Sequence, residues 1–288
     1  MLSIATLYFL IIVKVSNANN ALQQQVISGK KSLFRHFLDD LNDLKSIVIV
    51  NESLPVLKTG DVMDLPIEEL GLSYVGLKEL EWKCFKNVPN LTLVYLNHNE
   101  LTVINRCIFN GLNLQSLHLR SNKIQKIQAN AFDGLRHLEL LDISNNQIAE
   151  IDPDWCCGCV KLLVWTIRGN EIKEIPDGSF RNVKELTHLD LSRNKISAIK
   201  KNCFEELQKL SKLDLSANVI TVIPRDVFKK TTSLNILILN INELDCSVLN
   251  AEFPESVLMI QMLGSNLFEH CPEAIKSFRS HSRRTLVY

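Results

Sequence analysis

The chain has 288 residues, enough for one large domain or two small ones. Thirty-two Lys and Arg offset thirty-two Asp and Glu, so no net field draws it to nucleic acid or an anionic membrane. A hydrophobic content of 46% with 22% charged residues describes a folded protein, and no apolar run reaches the ~18 residues of a membrane-spanning helix.

The chain opens on an apolar run of about a dozen residues followed by Ser16-Asn17-Ala18, a small-x-small cleavage signal. Residues 1–18 therefore read as a secretory leader, although Lys14 sits late in the run and no basic residue precedes it. Two sequons, at Asn51 and Asn90, agree with export and mark candidate glycosylation sites. Export would place the eight cysteines in an oxidising compartment. Residues 19–43 hold Leu33, Phe34, Phe37, Leu38 and Leu41 at helical spacing, which reads as an amphipathic capping segment.

From residue 44 to 245 the sequence repeats. "LTLVYLNHNEL" at 91–101, "LQSLHLRSNKI" at 114–124 and "LSKLDLSANVI" at 210–220 share the pattern L-x-x-L-x-L-x-x-N-x-L with six further segments, at intervals of 23 or 24 residues. Seven of the nine units keep the Asn; Glu52 and Val75 replace it in the first two. The L-x-L step has period 2, so two leucines face inward from a short strand and the residues between face out. The Asn amide is suited to bond the backbone of neighbouring turns as the chain bends inward. Position 14 is again apolar, position 19 is Phe in six units and position 22 is Leu or Val in most, so each unit closes one turn around a shared interior. One turn cannot bury that face alone; stacking does.

These motifs are identified as typical-type leucine-rich repeats, and about 200 residues resemble secreted and cell-surface proteins of that kind, including Toll-type ectodomains and the leucine-rich immune proteins of arthropods. The resemblance implies an α/β solenoid: a horseshoe with a concave parallel sheet of about nine strands and an irregular or short-helical convex side. It also implies capped ends. Extracellular members often carry a cysteine-bridged N-terminal cap, whereas this chain has no cysteine before Cys84. Residues 246–288 would form the C-terminal cap and a basic tail, with a Cys246–Cys271 bridge where the family commonly uses two.

Trp155-Cys156-Cys157-Gly158-Cys159 imitates the W-C-x-x-C signature of a disulfide oxidoreductase, but register argues otherwise. Cys156 falls in the Phe column and Cys159 in the Leu/Val column, so both should face the core, three apart on a turn and close enough for a bridge. A reactive thiol needs exposure and a cationic setting, and Asp152 and Asp154 flank this one. Cys84 and Cys107, at positions 18 and 17 of adjacent turns, are expected as a second, rung-to-rung bridge. Cys157 and Cys203 are left over, as free thiols or, for Cys157, as the site of an intermolecular disulfide. A four-ligand zinc site finds no support.

The outward positions of the middle strands gather Tyr95, His98, His118, Arg120, Asp142, Arg168, His188, Asp190, Arg193 and Asp214 on one face. Exposed Tyr and Arg are enriched at interface hot spots. The alternative is that these charges pair with one another and only keep the sheet soluble. Ile236, Ile238 and Ile241 are unexpectedly apolar for such columns, and are read either as covered by the C-terminal cap or as a hydrophobic partner surface. Catalytic signatures such as H-E-x-x-H, G-x-S-x-G or a Gly-rich phosphate loop do not occur, and no cofactor is implied. The resemblance therefore implies extracellular protein recognition, with a bearing on innate immunity, by a secreted chain without nucleic-acid partner or membrane span. An extracellular matrix or adhesion scaffold is the alternative, and a thiol-disulfide oxidoreductase the remote one.

Overall fold

The structure, a computed structural model, describes residues 9–14, 25–27, 45–49, 53–265, 267–273, 275 and 285–287. A single coil of stacked turns builds a 13-stranded sheet on one side. Its strands are β1 (Phe9–Lys14), β2 (Gln25–Ile27), β3 (Ser46–Ile49), β4 (Glu69–Gly71), β5 (Leu93–Tyr95), β6 (Ser116–His118), β7 (Leu140–Asp142), β8 (Val164–Thr166), β9 (His188–Asp190), β10 (Lys212–Asp214), β11 (Ile236–Ile238), β12 (Met259–Gln261) and β13 (Thr285–Val287). The nine strands β3 to β11 are the nine repeats, all parallel and in register.

The sheet is longer than the repeats at both ends. β12 and β13 continue it in parallel beyond the last repeat. At the other end β1 pairs antiparallel with β3, and β2 with β1. β1 lies within the run read as a leader. The helical spacing at Leu33–Leu41 and the sequon at Asn51 lie outside the described residues, whereas Asn90 is exposed.

Period-2 burial holds along the repeat strands β5 to β11, with the central residues Val94, Leu117, Leu141, Leu189 and Leu213 fully enclosed. Rings in the Phe column stack: Phe85, Phe109 and Phe132 form one run, and Phe180, Phe204, Phe228 and Phe253 a second, with centroids about 6 Å apart. The break falls where Cys156 replaces Phe. Bulk is restored there by Trp155 and Trp165, both fully buried, with Trp165 meeting Phe180 edge-on.

The asparagines form a buried ladder. Asn170, for example, donates to the carbonyls of Ile143 and Ile167 and accepts from the Ile148 amide on the preceding turn. One step before the Asn, the chain turns left-handed in each of the later units: Tyr74, His98, Ser121, Asn145, Gly169, Arg193, Ala217 and Ile241 all have φ between 53° and 67°. That bend aims each amide at the next turn's carbonyl, as in His98 to Arg120 and Ile241 to Leu263. Outside the main sheet the coil consists of turns and two-residue parallel strand pairs, such as Val62–Met63 with Phe85–Lys86 and Glu174–Ile175 with Ala198–Ile199, with short 3-10 helices at Pro153–Cys156 and Cys246–Asn250.

Candidate functional site: the concave face

The outward columns of β5 to β10 bring the expected residues together. Register places Tyr95, His118, Asp142, Thr166, Asp190 and Asp214 side by side on consecutive strands. Arg120 and Arg168 follow two residues on, and His98 and Arg193 stand at the left-handed bend. His188 opens β9 beside Lys212 of β10.

The face divides into three parts. Its N-terminal part is aromatic: Tyr95 stacks on His118 at 4.7 Å, and Tyr74 on His98 at 4.2 Å. His118 is also hydrogen-bonded to Ser116, and burial holds its pKa below the usual histidine value despite the neighbouring Asp142. The middle is acidic. Asp142, Asp190 and Asp214 each accept from the amide of the serine two residues on, and Asp190 and Asp214 from its hydroxyl as well. These caps fix each carboxylate through one oxygen. The C-terminal part is apolar.

Pairing within the face, the competing expectation, is not what forms. Nine ion pairs occur among the described residues, from Lys45–Glu68 to Arg225–Glu252, and none of them joins two of the ten residues expected on the face. Arg168 instead donates to the Ser192 hydroxyl at 3.4 Å. Sequence reasoning missed Tyr74, two-thirds exposed at the bend of a unit that lacks the Asn. Its signal was the column shared with His98 and Arg193. It also missed Met259, Leu258 and Leu263, since β12 follows the last recognisable repeat. For Ile236 and Ile238 the cap adds a strand alongside instead of a cover: both remain half-buried, and Ile241 is 63% exposed.

Among the cysteines, Cys246 and Cys271 are joined, with Cα atoms 5.8 Å apart. The expected Cys84–Cys107 bridge is corrected: both are free, because Cys84 points into the core while Cys107, at a left-handed bend, points out. Burial pushes the Cys84 thiol up to about 12. Cys156 and Cys159 do face the core as register demands, but they stand as two thiols and not as a bridge. Cys159 donates to the Phe132 carbonyl, and burial together with the adjacent Cys159 thiol holds Cys156 well above the ordinary range. Gly158 between them is required by contact, since a Cβ there would meet the Gly134 amide nitrogen at 2.5 Å.

Cys157 and Cys203 are free, Cys203 buried and Cys157 exposed. The Cys157 thiol donates toward Asp154, which is itself paired with Arg181 at 2.6 Å. Partial burial and the Asp154 charge raise its pKa, so it rests protonated at neutral pH. Asp154→Asn removes that charge and should accelerate iodoacetamide alkylation of Cys157 at about pH 8 several-fold, each pKa unit being worth about tenfold in thiolate. An unchanged rate by mass spectrometry would show that Asp154 does not restrain the thiol.

Turns of this length, an inward leucine pair, a buried Asn ladder and an open parallel face together define a leucine-rich repeat solenoid. The leucine rich repeat model matches residues 66–114, 112–164 and 166–220, more than half of the chain, and the chain belongs to that family. Human leucine-rich repeats and immunoglobulin-like domains protein 1 is 39% identical over 90 residues, which are 31% of this chain and 8% of that protein. Human Toll-like receptor 5 is 39% identical over 77 residues, 26% of this chain and 9% of the receptor. Among solved structures, the TLR13 chain of a TLR13–ssRNA13 complex superposes with a TM-score of 0.65 at 25% identity, over 73% of this chain and 31% of that one. The chain thus spans a small part of the relatives it matches. None of its described helices is long and apolar enough to cross a membrane.

Proposed function

We propose that this chain is an exported recognition module that binds a protein ligand across its concave face, in an extracellular setting of the kind innate immune receptors occupy. The supporting observation is the unpaired chemistry of that face. Arg120, Arg168, Arg193, Asp190 and Asp214 make no ion pair among the described residues, so their charges stay open to a ligand. Stacked Tyr95 and His118 stand beside them as rigid contact area. In this reading residues 1–18 are removed on export and β1 with them, so that β3 becomes the N-terminal edge of the repeat sheet, Asn51 and Asn90 carry glycans, and the chemistry is binding, not catalysis.

A second reading, single-stranded nucleic acid, is favoured by the Tyr74–His98 and Tyr95–His118 stacks near Arg120 and by the RNA in the matched TLR13 complex. Affinity capture from extracellular fluid with the full chain tests both, with Arg120→Ala/Arg168→Ala as the comparison. Captured protein should fall at least about tenfold in the double variant, as loss of two interface arginines implies. Unchanged capture would refute the concave-face reading, and saturable binding of a single-stranded RNA probe without protein capture would select the second one.

A further inference from the structure

The C-terminal third of the concave face has a chemistry of its own. Ile236 and Ile238 of β11 lie beside Met259 and Gln261 of β12, and Ile241 and Leu263 project from the bends that follow. This apolar strip is bounded by acid on two sides. On the sheet, Asp214 is the register neighbour of Ile238, and Asp190 of Asp214. Adjacent parallel strands place such like charges about 5 Å apart, and each carboxylate is held in place by its own serine. On the flank, a cavity of about 570 Å³ opens next to Ile241 and Gly264, with Glu243, Asp245 and His270 in its wall. Lys212 is the one Lys or Arg on the outward columns of β10 to β12, and it forms no ion pair among the described residues.

Ile241 adds a further mark. A β-branched residue at φ 55° is strained, and this one spends its apolar side chain on solvent. Glycine or asparagine would meet the bend without that penalty, as Asn145, Gly169 and Gly264 do in the same column. Packing inside the chain does not account for Ile241; an apolar partner would.

We infer that this third of the face docks a polypeptide segment in which basic side chains alternate with apolar ones, the apolar groups covering Ile236, Ile238, Ile241 and Met259 and the cations bridging Asp190 and Asp214. The inference rests on the concave-face reading and names the chemistry of its partner. An acidic or purely polar segment fails here: the first meets two fixed carboxylates, the second leaves the isoleucines wet. Alternation at period 2 matches the geometry, because neighbouring residues of an extended guest then reach the acidic strands and the apolar strip in turn.

Three fluorescein-labelled hexapeptides of alternating sequence, Leu-Lys, Leu-Glu and Ser-Lys, provide the test by fluorescence anisotropy with the full chain. The Leu-Lys peptide should bind at least about tenfold more tightly than either other, the discrimination expected when a wrong partner meets like charge or leaves an apolar surface uncovered. Asp190→Asn/Asp214→Asn should weaken it by at least about tenfold while leaving the fold intact, since Asn keeps the oxygen that caps Ser192 and Ser216. Leu263→Ser should weaken it without touching the core. Equal binding of Leu-Lys and Leu-Glu, no binding of any peptide, or indifference to both variants would overturn the inference. If the peptide instead responds to Tyr95→Ala/Arg120→Ala alone, the concave-face reading stands and this assignment within it falls.

Discussion

Asn170→Ala should cost about 3 kcal/mol and lower the urea midpoint of unfolding accordingly, as follows from the groups it orphans. The Ile148 amide has Asn170 as its partner in the interior, and leaving a buried amide unpaired costs about 1–3 kcal/mol. The carbonyls of Ile143 and Ile167 each lose one of two side-chain amide donors, the others coming from Asn146 and Asn194. This shared acceptance makes a sharper test. In Asn146→Ala/Asn170→Ala the Ile143 carbonyl loses both donors, so the pair should cost more than the sum of the single variants. Strict additivity would mean that the asparagines act turn by turn and not as a ladder.

The two buried tryptophans should respond in opposite ways to the same change. Trp155 Nε1 donates to the Ile127 carbonyl at 2.9 Å, whereas Trp165 Nε1 has no hydrogen-bond partner among the described residues. Trp165→Ala should be the most damaging single truncation in the core, about 3–5 kcal/mol, because it empties the gap in the phenylalanine stack beside Phe180. Trp165→Phe should be tolerated within about 1 kcal/mol, since it keeps most of the volume and removes an unsatisfied donor. Trp155→Phe should cost about 1–3 kcal/mol by leaving the Ile127 carbonyl without that donor. Calorimetry of the three variants checks the order, and equal penalties for both Phe substitutions would contradict the hydrogen-bond account.

Both predictions concern features visible in the sequence only as a pattern and an exception to it. The Asn column and its bonding to neighbouring turns follow from the repeat alone. The exception at Trp155-Cys156-Cys157-Gly158-Cys159 is placed by the same register, which sends Cys156 and Cys159 inward. What register does not give is the state of the sulfurs. Cys84 and Cys107 share neighbouring turns yet face opposite sides, because a left-handed bend at Cys107 rotates its side chain outward. A one-dimensional repeat fixes which turn a residue belongs to, not where an irregular convex segment points it.

The candidate site divides along the same line. Membership of the concave face was legible for the ten residues from Tyr95 to Asp214, since strand periodicity determines which side chains leave the core. Whether they are satisfied there was not, as pairing depends on side-chain reach and on competing partners. Capping serines take up one oxygen of each aspartate, and lysines such as Lys123 and Lys195 pair with Glu100 and Glu171 away from these columns, so the face keeps its charges. Nor did the sequence show that β12 and β13 prolong the sheet, because Met259–Gln261 and Thr285–Val287 lack the repeat signature and are recruited only by the open edge of β11. Periodicity by itself determined the coil, its interior and its exposed columns. Tertiary contact decided which thiols meet, which charges stay unpaired and how far the apolar strip runs, because each depends on atoms brought together from turns that share no local pattern.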